Sequence, residues 1–235
     1  MISLQKENYI NPIAFSYPMH TKEQLVNHWR EVHFDENILT AFLLIPREEF
    51  ISADLQHYAY ADQPLPTLRK QSISQPTTIA LMLQALQIKP GEKVFEVGAG
   101  VGYQAALIGT MIGPSGKLIT TEVIPELVFA AQENLKRLNL SNVIVIEADG
   151  SEGAPAEAPF DKIIITAACP MIPQPLIDQL KENGIIIAPV GDLESQTMVK
   201  GIKNQGRLEL EFLGPFAFVP LKGKYGFKEV EMYYG

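Results

Sequence analysis

The sequence predicts an α/β fold: a doubly wound, mostly parallel sheet with helices on both faces, preceded by a helical N-terminal segment and followed by antiparallel C-terminal strands. Three observations predict it. From Gly91 onward, short apolar strands alternate with amphipathic helical patterns, and strands that are apolar throughout are those covered on both faces. Before residue 90 the periodicity is helical. After Gly191 the helical patterns stop and two strand-like segments meet at a turn. With 235 residues, 46% hydrophobic and 20% charged, the chain suits one large globular domain. A lobe at 1–90, carrying a loop at 66–76, and a sheet domain at 91–235 are expected to form one structural unit.

In the first part, Thr21 with Gln24 three residues on fits a capping box that opens a helix to about Glu31. Asp35 opens another with Ile38, Leu39, Phe42 and Ile45 on one stripe, and Pro46 stops it. Tyr58 to Pro76, rich in Pro, Gln and Ser, reads as loop, and Ile79 to Leu86 resumes a helix. In the second part, strands are predicted at Lys93–Val97, Lys117–Thr121, Val143–Ile146, Lys162–Thr166 and Ile185–Pro189. Helices are predicted at Tyr103–Ile112, from Pro125 through the stripe Leu127, Val128, Ala131, Leu135 and Leu138, and at Pro173–Lys181. Thr197–Lys203 and Leu208–Phe216 read as an antiparallel pair turned by Asn204, Gln205 and Gly206.

Composition excludes several classes. No apolar run reaches the roughly 18–20 residues that span a bilayer, and Met1 to Asn11 lack the pattern of a signal peptide. A single cysteine, Cys169, excludes an internal disulfide framework and suits a reducing, cytoplasmic compartment; it reads as a small apolar filler. A net charge of −8 argues against nucleic acid as the main partner. His20, His28, His33 and His57 have no companion ligands at metal-binding spacing, so no metal site is expected. Trp29 and the pair Tyr233 and Tyr234 read as packing residues.

The chemically informative segment is Glu96-Val-Gly98-Ala-Gly100-Val-Gly102, which leaves a predicted strand and enters a predicted helix. Tyr103 stands where a dinucleotide loop has its third glycine, and Glu96 would lie badly against a pyrophosphate but well against a cationic ligand. Glu122, at the end of the next strand, is placed to accept from two ribose hydroxyls. Asp149 and Gly150, after the third strand, are placed to meet an adenine. Together these acids and glycines describe a site for S-adenosyl-L-methionine, with S-adenosyl-L-homocysteine as its product.

The chain resembles the protein-L-isoaspartate O-methyltransferases over nearly its whole length. The resemblance is carried by Pro46-Arg-Glu-Glu-Phe50, Tyr58-Ala-Tyr60 with Asp62, Gln71-Ser-Ile-Ser-Gln-Pro76, the Glu96 loop, Asp149-Gly150, Thr166-Ala-Ala-Cys-Pro170 and Phe218-Val-Pro-Leu221. It implies a Rossmann-like methyltransferase that repairs aged proteins by methylating the free α-carboxylate of L-isoaspartyl residues. Its partners are then isoaspartyl-containing proteins and peptides, with neither nucleic acid nor membrane required. It also implies that the loop from Gln71, Ser72 and Ile73 to Ser74 lies over the cofactor, with Ser74 as the active-site residue. Pro66, Ala168, Val219, Pro220 and Leu221 would border the substrate.

A carboxylate with a reference pKa of about 4 is already anionic at neutral pH, so this transfer needs no general base. Ser74 is therefore expected to position the acceptor by hydrogen bond; it also stands where it could cap the helix near Ile79. The stretch Thr67 to Ser72 departs from the family: Leu68 and Lys70 replace usual glycines, which should limit left-handed backbone, and Ser72 replaces a threonine. Thr77 stands where histidine or tyrosine is common. Arg69 and Lys70 place two cations beside the expected substrate carboxylate or in solvent. These departures leave two alternatives: a related carboxyl methyltransferase with another substrate, and a catalytically impaired S-adenosylmethionine-binding homologue.

Overall fold

The computed structural model describes residues 21–228. Tyr233 and Tyr234, His20 and the segment Met1 to Asn11 lie outside the described residues. The elements run α1 (Lys22–Glu31), α2 (Glu36–Leu44), 3-10 turns at Arg47–Phe50 and Ala53–Tyr58, β1 (Leu65–Pro66), a turn at Leu68–Lys70, β2 (Ser72–Ile73) and α3 (Pro76–Leu86). They continue with β3 (Lys93–Val97), α4 (Tyr103–Ile112), β4 (Lys117–Glu122), α5 (Pro125–Arg137), β5 (Val143–Glu147), β6 (Phe160–Ile165), α6 (Gln174–Gln179), β7 (Leu180–Gly191), β8 (Gln196–Asn204) and β9 (Arg207–Phe216).

Seven strands form one sheet in the order β5-β4-β3-β6-β7-β8-β9. β3 to β7 run parallel, and β8 and β9 are antiparallel to their neighbours. The chain builds outward from β3 to β5, then crosses back to start β6 on the other side of β3. This reversal leaves a crevice above the carboxyl ends of β3 and β6, where open α/β sheets take their ligands.

The period of two along each strand divides the core. Val94, Leu118, Ile164, Ile185 and Ile187 face a layer that also holds Leu25, Trp29, Phe42, Leu83, Leu107 and Leu127, from α1 to α5. Their neighbours Phe95, Val97, Ile119, Ile163 and Ile186 face Leu176 of α6, Cys169 and Leu221. The second face is thinner, covered by α6 and by the turn Gly150–Glu152. Residues on both sides of position 90 share the first buried cluster: α3 packs on β6 and β7, α2 on α3 and α4, and α1 on α2.

Four local expectations are corrected. The stretch Tyr58–Pro76 is not wholly irregular: Leu65 pairs with Ile73 and Pro66 with Ser72 in a two-stranded antiparallel hairpin. Ser74 does not cap α3. The N-cap is Gln75, and Asp62 supplies the missing acceptor, taking the Thr77 N–H at 2.8 Å and the Gln75 amide at 2.9 Å. The helix expected to Lys181 ends at Gln179, because Leu180, buried against Phe160, already belongs to β7. The β8–β9 turn narrows to Gln205 and Gly206, both left-handed at φ 51° and 75°, as a two-residue hairpin loop requires. Among the described residues no helix is long and apolar enough to cross a membrane.

Candidate active site

The loop after β3 is built on left-handed backbone: Gly98, Gly100 and Gly102 have φ of 95°, 54° and 89°. A Cβ on Gly102 would come within 3.1 Å of the Ala131 Cα on α5, so glycine there lets the loop lie against that helix. At Gly100 a Cβ would meet nothing within 4 Å, which leaves the loop's crevice face free for a ligand. Glu122 fixes this arrangement. Its Oε2 accepts the Gly100 N–H at 2.9 Å, and its Oε1 accepts the Val123 and Ile124 N–H groups at 2.8 and 3.1 Å. The carboxylate still lines the crevice and keeps unused lone pairs.

Glu96 is not at the crevice surface. It shares the helix-facing side of β3 with Val94, so it is fully buried under α4. One oxygen accepts the Thr120 hydroxyl at 2.7 Å, and the other has no hydrogen-bond partner. Burial pushes its carboxyl up to about 7, against the opposing effects of Thr120 and Gln104 and aided by the charge of Glu122. The Gln104 amide nitrogen, on α4 and lining the same crevice, is also buried without a partner. At this end of the crevice the Glu122 carboxylate supplies acceptor oxygens and the Gln104 amide nitrogen a donor, a set that fits a hydroxylated, amino-acid-bearing ligand such as S-adenosylmethionine.

Asp149 does not fill its expected place. Its carboxylate takes the Ser151 N–H and hydroxyl at 2.9 and 2.7 Å and the Lys224 N–H at 2.7 Å, tying the C-terminal segment to the end of β5. The crevice wall there is Ala148 and Gly150. Gly102 likewise packs behind the loop, outside the lining.

On the opposite side, Gln71, Ser72, Ile73 and Ser74 come down from the hairpin to line the crevice, facing Ile124 and Leu127. Contrary to the expectation that losing glycines limits left-handed backbone, Arg69 and Lys70 both adopt it, at φ 56° and 59°. The hairpin ladder and the turn between its strands impose that conformation. Neither cation lines the crevice. Arg69 is ion-paired with Glu126 in the first turn of α5 and ties the hairpin to the far wall.

A second cavity of about 760 Å³ adjoins the first. The two share Ser72, Ser74, Thr166 and Val219 in their linings. The second is bounded by the end of α1 at His28 and Trp29, by Phe34 in the loop that follows, by one face of α3, and by Pro215 to Val219. The α3 face is Thr77, Leu81 and Gln84, spaced as one side of a helix opposite Ile79 and Leu83 in the core; that spacing is readable in the sequence. The contribution of α1 is not, because Trp29 lies 48 residues before Thr77 in the chain.

Val219, Pro220 and Leu221 reach the crevice because Ala168 pairs with their backbone: its N–H donates to Val219 at 2.8 Å and its carbonyl accepts from Leu221 at 2.7 Å. Ala168 itself is buried and lines neither cavity, and Pro66 is an exposed hairpin residue outside both. Cys169 is buried, with its thiol pushed up to about 12 by burial. Among the described residues no group of three or more His, Cys, Asp or Glu could hold a metal ion.

A family model for protein-L-isoaspartate(D-aspartate) O-methyltransferase matches residues 20–226. The chain is similar to a protein-L-isoaspartate O-methyltransferase of Methanoculleus marisnigri, 44% identical over 194 residues, covering 83% of this chain and 87% of that protein. One from Methanocella arvoryzae is 48% identical over 184 residues, covering 78% and 97%. Among solved structures, a protein-L-isoaspartate O-methyltransferase aligns with a TM-score of 0.81 at 30% identity, covering 88% of this chain and 67% of that one. A Plasmodium falciparum chain assigned to the same enzyme class, in complex with S-adenosyl-L-homocysteine, aligns with a TM-score of 0.75 at 26% identity, covering 87% and 99%.

Proposed function

Since the chain belongs to the protein-L-isoaspartate(D-aspartate) O-methyltransferase family, we propose that it transfers a methyl group from S-adenosylmethionine to the free α-carboxylate of L-isoaspartyl residues in damaged proteins and peptides. The observation that carries this reading is the pair of adjoining cavities with Ser72, Ser74, Thr166 and Val219 in the linings of both. One cavity suits the methyl donor and the other an acceptor segment, and they meet at the serine of the loop.

S-adenosylmethionine supplies an electrophilic methyl on a sulfonium, a good leaving group. Glu122 and the Gly98–Gly102 loop would hold its ribose and amino-acid portion, with Gln104 alongside. The acceptor carboxylate is anionic at neutral pH, so the protein's tasks are alignment and exclusion of water. Alignment can contribute roughly 7–11 kcal/mol. Ser74 orients the acceptor oxygen, the segment Val219–Leu221 holds the acceptor backbone, and the hairpin roofs the crevice. The ester so formed collapses spontaneously to a succinimide, which reopens in part as normal aspartate. A reducing cytoplasm is the compartment that suits the free thiol of Cys169.

The test is incubation with labelled S-adenosylmethionine and a matched pair of isoaspartyl and aspartyl peptides. Base-labile label on the isoaspartyl peptide alone is expected. Cofactor binding without label on either peptide overturns the reading.

A further inference from the structure

Arg47 belongs to a motif to which the reaction as derived above assigns no role. The residue is completely buried, and no carboxylate among the described residues lies within ion-pairing distance of it. Burial lowers its guanidinium to about 10, which still leaves it charged at neutral pH. A buried cation with no ion pair, supported only by the more distant charge of Asp62, is costly, and a long apolar side chain would fill the same volume more favourably. What the guanidinium does with its donors is therefore informative. Nε donates to the Ala59 carbonyl at 2.8 Å, and Nη2 donates to the carbonyl of Ser74, also at 2.8 Å. Its Cζ lies over the Tyr103 ring, 5.1 Å from the centroid. Tyr103 is the first residue of α4, directly after the glycine loop, and lines the crevice.

The surroundings lock Arg47 in turn. Its backbone N–H donates to the Tyr60 hydroxyl at 3.2 Å, and that hydroxyl donates to the Glu48 carboxylate. From the other side, Asp62 holds Gln75 and Thr77. The Ser74 peptide is thus gripped between a buried arginine and a helix-capping aspartate. Arg47 touches both the serine loop, at the Ser74 carbonyl, and the first residue after the glycine loop, Tyr103.

We infer that Arg47 is a positioning residue for methyl transfer, whose guanidinium sets the Ser74 peptide relative to the cofactor helix through Tyr103. The inference rests on the proposed reaction for its kinetic readout, and on the fold alone for its second readout. Arg47→Met keeps the volume and loses both hydrogen bonds; Arg47→Lys keeps the charge but cannot span two carbonyls.

The expected result for Arg47→Met is a kcat for an isoaspartyl peptide lowered about 100-fold, the scale of a small misplacement of reacting groups. Its KM and its dissociation constant for S-adenosylhomocysteine stay within about threefold. Arg47→Lys falls between it and wild type, and added ethylguanidine restores part of the rate to Arg47→Gly. In the ligand-free protein, hydrogen exchange rises for the segment 72–78 and not for β4 or β6. Wild-type kcat in a folded Arg47→Met or Arg47→Lys overturns the inference. So does a loss spread equally over kcat, cofactor binding and exchange across the whole sheet, because that pattern describes a packing residue. If the wild-type protein transfers no methyl group, the proposed reaction fails while the exchange readout still decides whether Arg47 holds the Ser74 segment.

Discussion

The indole Nε1 of Trp29 donates to the Thr77 hydroxyl at 3.0 Å, joining α1 to the first turn of α3 across 48 residues of sequence. Trp29 is buried, packed edge-on against Phe42 and tilted against Phe34, so its N–H has nowhere else to go. Both residues line the larger cavity, and the bond fixes the corner where helix, aromatic cluster and cavity meet.

Thr77→Val keeps the shape and removes the acceptor. A buried donor left without a partner costs about 1–3 kcal/mol, and urea unfolding should show that loss at an unchanged m-value. A neutral result would mean that the indole finds another partner.

Ser74→Ala leaves the backbone bond to Arg47 in place, because Arg47 holds the carbonyl and not the side chain. The protein should therefore keep its thermal midpoint and its affinity for S-adenosylhomocysteine. A hydrogen bond to a charged acceptor is worth roughly 1.5–3 kcal/mol, so kcat should fall about 10- to 100-fold. Steady-state kinetics with an isoaspartyl peptide measures it, and a full rate would remove the role assigned to Ser74.

Glu96 makes stability depend on pH in a defined window. Its folded-state pKa is raised from 4.5 to about 7, so between these values the folded protein binds more protons than the unfolded chain. Stability accordingly falls as pH rises from 4.5 to 7 and levels off above, by up to about 3 kcal/mol from this group alone. Glu96→Gln should flatten that part of the profile in denaturant unfolding of the ligand-free protein. A slope unchanged by the substitution would show that another group sets it.

Lys70 occupies left-handed backbone at φ 59°, where a side chain costs roughly 1–2 kcal/mol and glycine costs little beyond its greater freedom in the unfolded chain. Lys70→Gly should therefore raise stability by about 1 kcal/mol, seen as a higher thermal midpoint. Lys70→Ala should not, since alanine carries the same penalty.

The sequence by itself determined the architecture and the cofactor side of the site. Each strand from β3 to β5 and each helix from α3 to α5 is announced by local pattern, because apolar periodicity and proline or glycine punctuation act within a few residues. The glycine loop and Glu122 follow from their place at the ends of those strands, which the alternation of strand and helix fixes. Only the tertiary structure decided where side chains of ambiguous direction went. Asp149 looked free for an adenine until Lys224 and Ser151 claimed it. Glu96 looked like a ligand to the cofactor until the twofold period of β3 turned it under α4. Ser74 resembled a helix cap until Asp62, twelve residues earlier, took that office. The larger cavity was illegible for the same reason: Trp29, Thr77, Thr166 and Phe218 come from four separate parts of the chain. Local sequence encodes which way a backbone runs, whereas a cavity is the space left when distant elements pack, and no short window of residues contains it.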